Sequence, residues 1–215
     1  MGSGEHAGCF GWCMFDYATH KDFGSGDRIC YNGVMDSFRN PKLAAAGYAS
    51  RQASTPVLEV GSPMDIGDYP AGNIGDVYAL TNADEVRLYK NGAFVDQLSA
   101  HSPGVMRMEN PIGCLLETQE GFEKQKAELL KKALNSAAKY GLAGMPKADL
   151  ARMGYAMLRY KMSFQDGVAL YGKYVGNWGG EATAWRFDAV KEGKTVASVT
   201  CCPNTELRME ITPSN

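Results

Sequence analysis

Two β-hairpin patterns stand on either side of a long stretch of helical periodicity, and neither can bury a core by itself. The first is "DVYALTNADEVRLYKNGAFVDQL", from Asp76 to Leu98, in which Val77 and Val86-Arg87-Leu88-Tyr89 favour strand and Asn91-Gly92 marks a two-residue turn. The second is "ATAWRFDAVKEGKTVASVTC", which alternates through Trp185, Phe187 and Ala189, turns at Glu192-Gly193 and returns through Val196 and Val199; "ELRMEIT" then reads as a last strand. Half a β-sandwich cannot close its core without the other half. The simplest account is one sandwich begun near residue 56, interrupted, and completed after residue 177. Leu88 and Phe187 are then expected in one hydrophobic core.

The interruption, from Gly121 to Val175, reads as three helices. "FEKQKAELLKKALNSAAKYG" carries Phe122, Leu129, Leu130, Ala133, Leu134 and Ala137 at helical spacing, with Gly141 past its end. "PKADLARMGYAMLRYKM" has Pro146 near its start and Leu150, Met153, Met157, Leu158 and Met162 as its apolar set. "SFQDGVALYGKYV" opens on Ser163, a suitable cap. Helices joined by short turns have bundle character, and these are expected to pack on the sandwich as a satellite. The segment holds ten Lys/Arg against four Asp/Glu. That surplus is read as solvated faces and attraction to the acidic remainder, with an anion-binding patch as the sharper reading.

The N-terminal fifty residues have another texture. Ala7 to Phe15 is a short apolar and aromatic run without alternation, as in a strand buried on both faces of a parallel sheet. It empties into a polar, glycine-punctuated loop from Thr19 to Gly33. "NPKLAAAGYASRQ" then reads as a helix, with Asn40 as its cap and Pro41 in its first position. One strand–loop–helix unit cannot cover both faces of its own strand.

Composition excludes several classes. A net charge of −2 over 215 residues argues against nucleic-acid binding, and no apolar run reaches the length of a membrane span. Hydrophobic residues at 45% are enough for a core. The six cysteines include no Cys-x-x-Cys pair, and Cys201-Cys202 are adjacent, so they read as reduced thiols of a cytoplasmic protein. The three histidines lack ligand spacing, so no metal site and no cofactor are expected. Met1 to Gly4 reads as an engineered start, not a signal peptide.

Two motifs carry a resemblance. "GCFGWCMFD", Gly8 to Asp16, and "GVMDSFRNPK", Gly33 to Lys42, resemble the end of the catalytic barrel in glycoside hydrolase family 2, the β-galactosidase and β-glucuronidase family. Asn82, Asp84, Glu85, Val86, Leu88, Asn91 and Gly92 resemble a hairpin in that family's immunoglobulin-like domain, and "FDAVKEGKTVASV" fits its later strands. The helical segment departs from the usual family pattern.

The resemblance implies a mixed β and α chain: an immunoglobulin-like β-sandwich with an inserted three-helix subdomain, preceded by the last β/α unit of a (β/α)8 barrel. The implied boundaries are 1–54 for the barrel unit, 55–117 with 177–215 for the sandwich, and 118–176 for the insertion. Family catalysis is retaining and uses two glutamates from earlier barrel strands. Glu5 is the one carboxylate ahead of Trp12 and lies too close to that strand to be either, so no catalytic residue is expected in this chain. Trp12, Phe15, Asp16 and His20 are the implied sugar contacts: an aromatic face for a pyranose ring, and Asp16 as a hydroxyl acceptor. Against this stands the plainer reading that Trp12 and Phe15 are barrel core and that His20 is an ordinary loop residue. Arg39 is expected to pin the last helix to the barrel rim. The implied partners are a β-galactoside in the intact enzyme and the N-terminal part of the catalytic chain, with self-association through the uncovered apolar strand. The alternative is a non-catalytic carbohydrate-binding or protein-interaction module. Trp178 and Trp185, near glycine turns, are read as core filling ahead of sugar platforms.

Overall fold

A computed structural model of the chain describes residues 10–22, 26–52, 54–62, 64, 75–176 and 183–203. Trp178, Glu5, Cys9 and the strand expected at 206–212 lie outside the described residues.

The two hairpin patterns form as the turn chemistry requires. β5 (Glu85–Lys90) and β6 (Ala93–Ser102) are joined by Asn91 and Gly92 at φ 48° and 83°. β8 (Trp185–Lys191) and β9 (Lys194–Cys201) are joined by Glu192 and Gly193 at φ 51° and 75°. Positive φ at both central residues is the turn whose twist matches a right-handed hairpin. β5 then pairs antiparallel with β8, placing Leu88 opposite Phe187. With β3 (Leu58–Val60), β4 (Val77–Thr81) and β7 (Val105–Met108), these make one seven-stranded antiparallel sheet in the order β3-β4-β7-β6-β5-β8-β9.

The sheet is continuous because β6 serves two neighbours. Its first half pairs with β5 and its last residues pair with β7, with a register shift between Ala100 and Ser102. Its buried residues, Val95 and Leu98, are three apart instead of two, as a strand that bends between neighbours needs. The sheet therefore wraps on itself, and its edges β3 and β9 come into contact, so it is nearly closed.

Three polar residues of the first hairpin fasten distant chain. Asn82 Oδ1 accepts the Val57 N–H at 2.9 Å, and its Nδ2 donates to the Thr55 carbonyl at 2.8 Å. Asp84 Oδ2 accepts the Glu192 N–H at 2.8 Å. Asn91 Oδ1 accepts the Ala184 N–H at 2.8 Å, while its own N–H donates to the Ala184 carbonyl at 2.9 Å. The two hairpins thus grip each other at both ends of the β5–β8 pairing.

Among the described residues four α-helices follow β7 before the chain returns to β8. α2 (Ile112–Thr118) was not expected: it lies within the segment assigned to strands, and Ile112, Leu115 and Leu116 are fully buried. α3 (Lys124–Tyr140) buries Ala127, Leu130, Ala133, Leu134 and Ala137 on one face and ends at Gly141, as expected. α4 (Lys147–Arg159) departs from its pattern: Ala156 is its buried residue, while Leu150 and Leu158 are exposed. α5 (Phe164–Tyr171) starts on a reciprocal cap between Ser163 and Asp166 and runs on into a wider π turn, Gly172–Gly176. Leu130, Leu134, Leu170 and Tyr174 share one buried cluster with Leu88, Trp185 and Phe187. The helices therefore bury against the sheet as well as each other. Trp185 is core, as its plainer reading holds, and not an exposed platform. Among the described residues no helix is long and apolar enough to cross a membrane.

Candidate functional site

The N-terminal unit, with its four candidate residues, is built differently from the expected strand. Its described part, 10–15, is irregular and exposed, with Phe10, Trp12 and Met14 open to solvent. A strand buried on both faces needs neighbours on both sides, and among the described residues one side alone is paired. That pairing is parallel, between Phe15 and Met35. The Val34 and Met35 N–H groups donate to the Cys13 and Met14 carbonyls at 3.0 and 2.9 Å, and the Asp16 N–H donates to the Met35 carbonyl at 3.0 Å. Gly33 permits this approach, since a β-carbon there would lie 2.3 Å from the Asp16 nitrogen and 2.4 Å from the Phe15 carbonyl carbon. A short antiparallel pair continues it, β1 (Tyr17–Ala18) with β2 (Ile29–Cys30).

Asp16 is the pivot of the unit. Its side chain is 3% exposed, and Oδ1 accepts from the Gly33 N–H at 2.8 Å and from Lys42 Nζ at 2.6 Å. Lys42 also donates to the Tyr31 carbonyl at 2.9 Å. A buried carboxylate is costly unless its oxygens are hydrogen-bonded. This oxygen of the expected hydroxyl acceptor is therefore engaged with the protein itself.

The "GVMDSFRNPK" motif becomes legible in the same way. Asp36 Oδ1 accepts from the Phe38 and Asn40 N–H groups at 2.8 Å each, and Oδ2 accepts from Asn40 Nδ2 at 2.8 Å. The Asn40 side-chain bond is the main reason the Asp36 carboxyl is held below its ordinary value. Asn40 thus closes this turn instead of capping the helix. Pro41 bridges to Met35, and α1 (Leu43–Gln52) begins two residues later than expected. α1 is tied to the sheet where Arg51 Nε donates to the Pro103 carbonyl at 3.2 Å.

Trp12 is 76% exposed; its Nε1–H reaches Tyr17 Oη at 3.3 Å, and the two rings meet edge to face at 6.4 Å. The Trp12–Cys13 peptide is cis. Phe15 is 39% exposed, with the Arg39 guanidinium 5.3 Å from its ring centroid. Arg39 therefore stacks on the first motif, a contact between the two conspicuous segments. His20 pairs locally with Asp22, whose N–H donates to Nδ1 at 3.3 Å, and both side chains are exposed. Trp12, Phe15 and Asp16 thus share one short stretch, with His20 in the turn beyond it. Gly11, Met14, Met35, Ala45 and Tyr48 line an open apolar groove of about 690 Å³ beside them. Sequence reasoning missed Lys42, which holds Asp16, and Gly33, which admits the strand. Both lie inside the motif that carried the resemblance, but no local pattern joins Lys42 to Asp16.

No family model matches the chain. It is 45% identical over 95 residues to a β-galactosidase of Thermoanaerobacterium thermosulfurigenes, a match covering 43% of this chain and 13% of that protein. A β-galactosidase of Thermoanaerobacter pseudethanolicus is 44% identical over 92 residues, covering 41% and 12%. The chain resembles the C-terminal part of a β-galactosidase of glycoside hydrolase family 2. It spans about an eighth of the length of these two curated relatives. Among solved structures, a putative β-galactosidase from Bacteroides fragilis aligns over 90% of this chain and 19% of its own, with a TM-score of 0.48 and 12% identity.

None of the five described cysteines forms a disulfide. Cys114, half-buried with its thiol 3.2 Å from Asp96 Oδ2, is pushed up to about 12 by burial first and then by that carboxylate, and so stays a neutral thiol. Among the described residues no cluster of three His, Cys, Asp or Glu side chains is placed to hold a metal ion.

Proposed function

We propose that this chain is the C-terminal portion of a retaining β-galactosidase-like enzyme and does no chemistry by itself. The observation that carries the reading is the 45% identity over 95 residues to a β-galactosidase. Residues 1–54 are the last β/α unit of the catalytic barrel, 55–117 with 177–215 an immunoglobulin-like sandwich, and 118–176 an inserted helical segment. The sandwich reading is supported by the strand order: β3-β4-β7 with the end of β6 forms one face, and the start of β6 with β5-β8-β9 forms the other.

In the intact enzyme Trp12 stacks on a galactoside ring, with Phe15, Asp16 and His20 around it. The exposed indole supports this role for Trp12. Asp16 acts mainly by holding the Trp12 to Tyr17 stretch in place, because Lys42 and Gly33 already occupy one of its oxygens. Both catalytic glutamates belong to barrel strands that precede this chain in the enzyme, and its partner is that part of the chain. Described cysteines that form no disulfide suit a reducing compartment, and we place the enzyme in the cytoplasm.

The second reading, a non-catalytic carbohydrate-binding or interaction module, needs an aromatic platform on the sheet. Trp185, at 1% exposure, is not one. Titration with galactose and lactose followed by nuclear magnetic resonance separates the two. The enzyme reading expects no saturable binding to the chain alone. Saturable shifts centred on the sheet would favour the module.

A further inference from the structure

A cleft of about 400 Å³ opens between α3, α4 and α5, away from the N-terminal unit. That volume suits a small ligand. One wall is aromatic, formed by Phe122 and Tyr160. Lys126 stands over this wall, with Nζ 3.5 Å from the Phe122 ring centroid and 5.8 Å from that of Tyr160. It is half-buried, and among the described residues it forms no ion pair. Cation–π contact holds an ammonium in place but gives its N–H donors no acceptor.

The cleft's own carboxylates make no close ion pair with it. Glu120 accepts from Tyr174 Oη at 2.7 Å and from Lys173. Asp166 accepts from the Ser163 N–H at 2.7 Å and from Ser163 Oγ at 2.8 Å, and Lys126 reaches it through space alone. Lys161, on the rim, is exposed and likewise forms no ion pair among the described residues. The cleft therefore presents two ammonium groups that make no close ion pair among the described residues, with Asp166 acting on Lys126 through space, beside an apolar ring wall.

We propose that this cleft binds a small organic anion, its carboxylate or phosphate held by Lys126 and Lys161 and its apolar part against Phe122 and Tyr160. The surplus of basic residues in the helical segment then has a local use beyond solvation. This proposal stands apart from the glycosidase reading and needs none of its residues.

The test is a titration of the whole chain with inorganic phosphate and with benzoate, at constant ionic strength set by sodium chloride, followed through amide resonances. At least one anion is expected to give saturable shifts at residues 122, 126 and 160–162. Phosphate alone, or benzoate alone, identifies which oxyanion the site takes. Lys126→Met should weaken binding about tenfold or more, and Lys161→Met severalfold, as loss of a charged hydrogen bond does. Lys139→Met, whose amine lies over Tyr140 outside the cleft, should bind as the parent does. The proposal is overturned if neither anion saturates, or if a folded Lys126→Met binds unchanged. Should Lys126→Met fail to fold, unchanged binding by Lys161→Met overturns it equally.

Discussion

Leu88 lies directly opposite Phe187 across the β5–β8 pairing, and both side chains are completely buried. The pair joins two hairpins that the helical segment separates in the chain, so it closes the fold. Truncating either leaves a cavity among residues that cannot all collapse inward. Phe187→Ala should cost about 3–5 kcal/mol and Leu88→Ala about 2–5 kcal/mol in urea denaturation. Phe38→Ala, at a side chain 86% exposed, should change stability by less than about 0.5 kcal/mol. A loss below about 1 kcal/mol for Phe187→Ala would place the true core elsewhere.

The hairpin clasps should matter next. Asn91→Ala removes the acceptor for the Ala184 N–H and puts a β-carbon residue without local hydrogen bonding at φ 48°. Asp84→Ala removes the acceptor for the Glu192 N–H. Each should cost about 1–3 kcal/mol. Asn91→Gly relieves the φ cost but not the lost bond, and should fall between parent and Asn91→Ala. Thermal melts of the three variants rank them, and equal melting temperatures would remove the clasps from the account.

For the N-terminal unit the expected effect is local. Lys42→Met leaves Asp16 buried beside one remaining donor, and Gly33→Ala forces apart the strands paired through Val34 and Met35. In both variants the amides of Val34, Met35 and Asp16 should exchange roughly tenfold faster or more, while those of α3 keep their protection. Uniform acceleration across α3 would mean that the unit is part of the global fold.

The elements legible in the sequence are those whose cause is local. Asn91-Gly92 and Glu192-Gly193 announced their hairpins because a two-residue turn with positive φ is a property of those residues. α3 was legible from its 3.6-residue stripe, and α5 from Ser163. α2 was hidden because its stripe, Ile112, Leu115 and Leu116, spans a helix of only seven residues, too short for the period to stand out. The hairpin turning at Pro103-Gly104 carries a local signal of the same kind in its Pro-Gly pair. The run from Phe10 to Phe15 misled because burial of a parallel strand depends on neighbours that its own residues do not encode. At the candidate site, the aromatic stretch was visible, but the tie from Asp16 to Lys42 spans distant positions and has no sequence signature.

Acid sensitivity should come partly from Glu120. Burial raises its pKa, but hydrogen bonds from Lys173 and Tyr174 outweigh burial and hold it below 4.5. A carboxylate whose folded pKa is depressed stabilises the native state above its unfolded value, and that contribution is lost as pH falls through the folded one. Asp166, lowered by the Ser163 backbone and side chain, acts in the same direction. Stability should therefore fall below about pH 4.5, and Glu120→Gln should flatten that acid limb while lowering stability near about pH 7. Denaturation midpoints across this range check it; an unchanged acid slope in Glu120→Gln would exclude the contribution.

Hydrolysis of nitrophenyl β-galactoside by the purified chain alone tests the central claim most directly. A retaining glycosidase needs an acid and a nucleophile placed across the scissile bond, and here Asp16 and Asp36 are committed to Lys42, Asn40 and backbone N–H groups. The expected result is release of nitrophenol no faster than the buffer blank. Turnover that survives purification, and that Asp16→Asn or Asp36→Asn abolishes, would contradict the account and make this chain an enzyme in its own right.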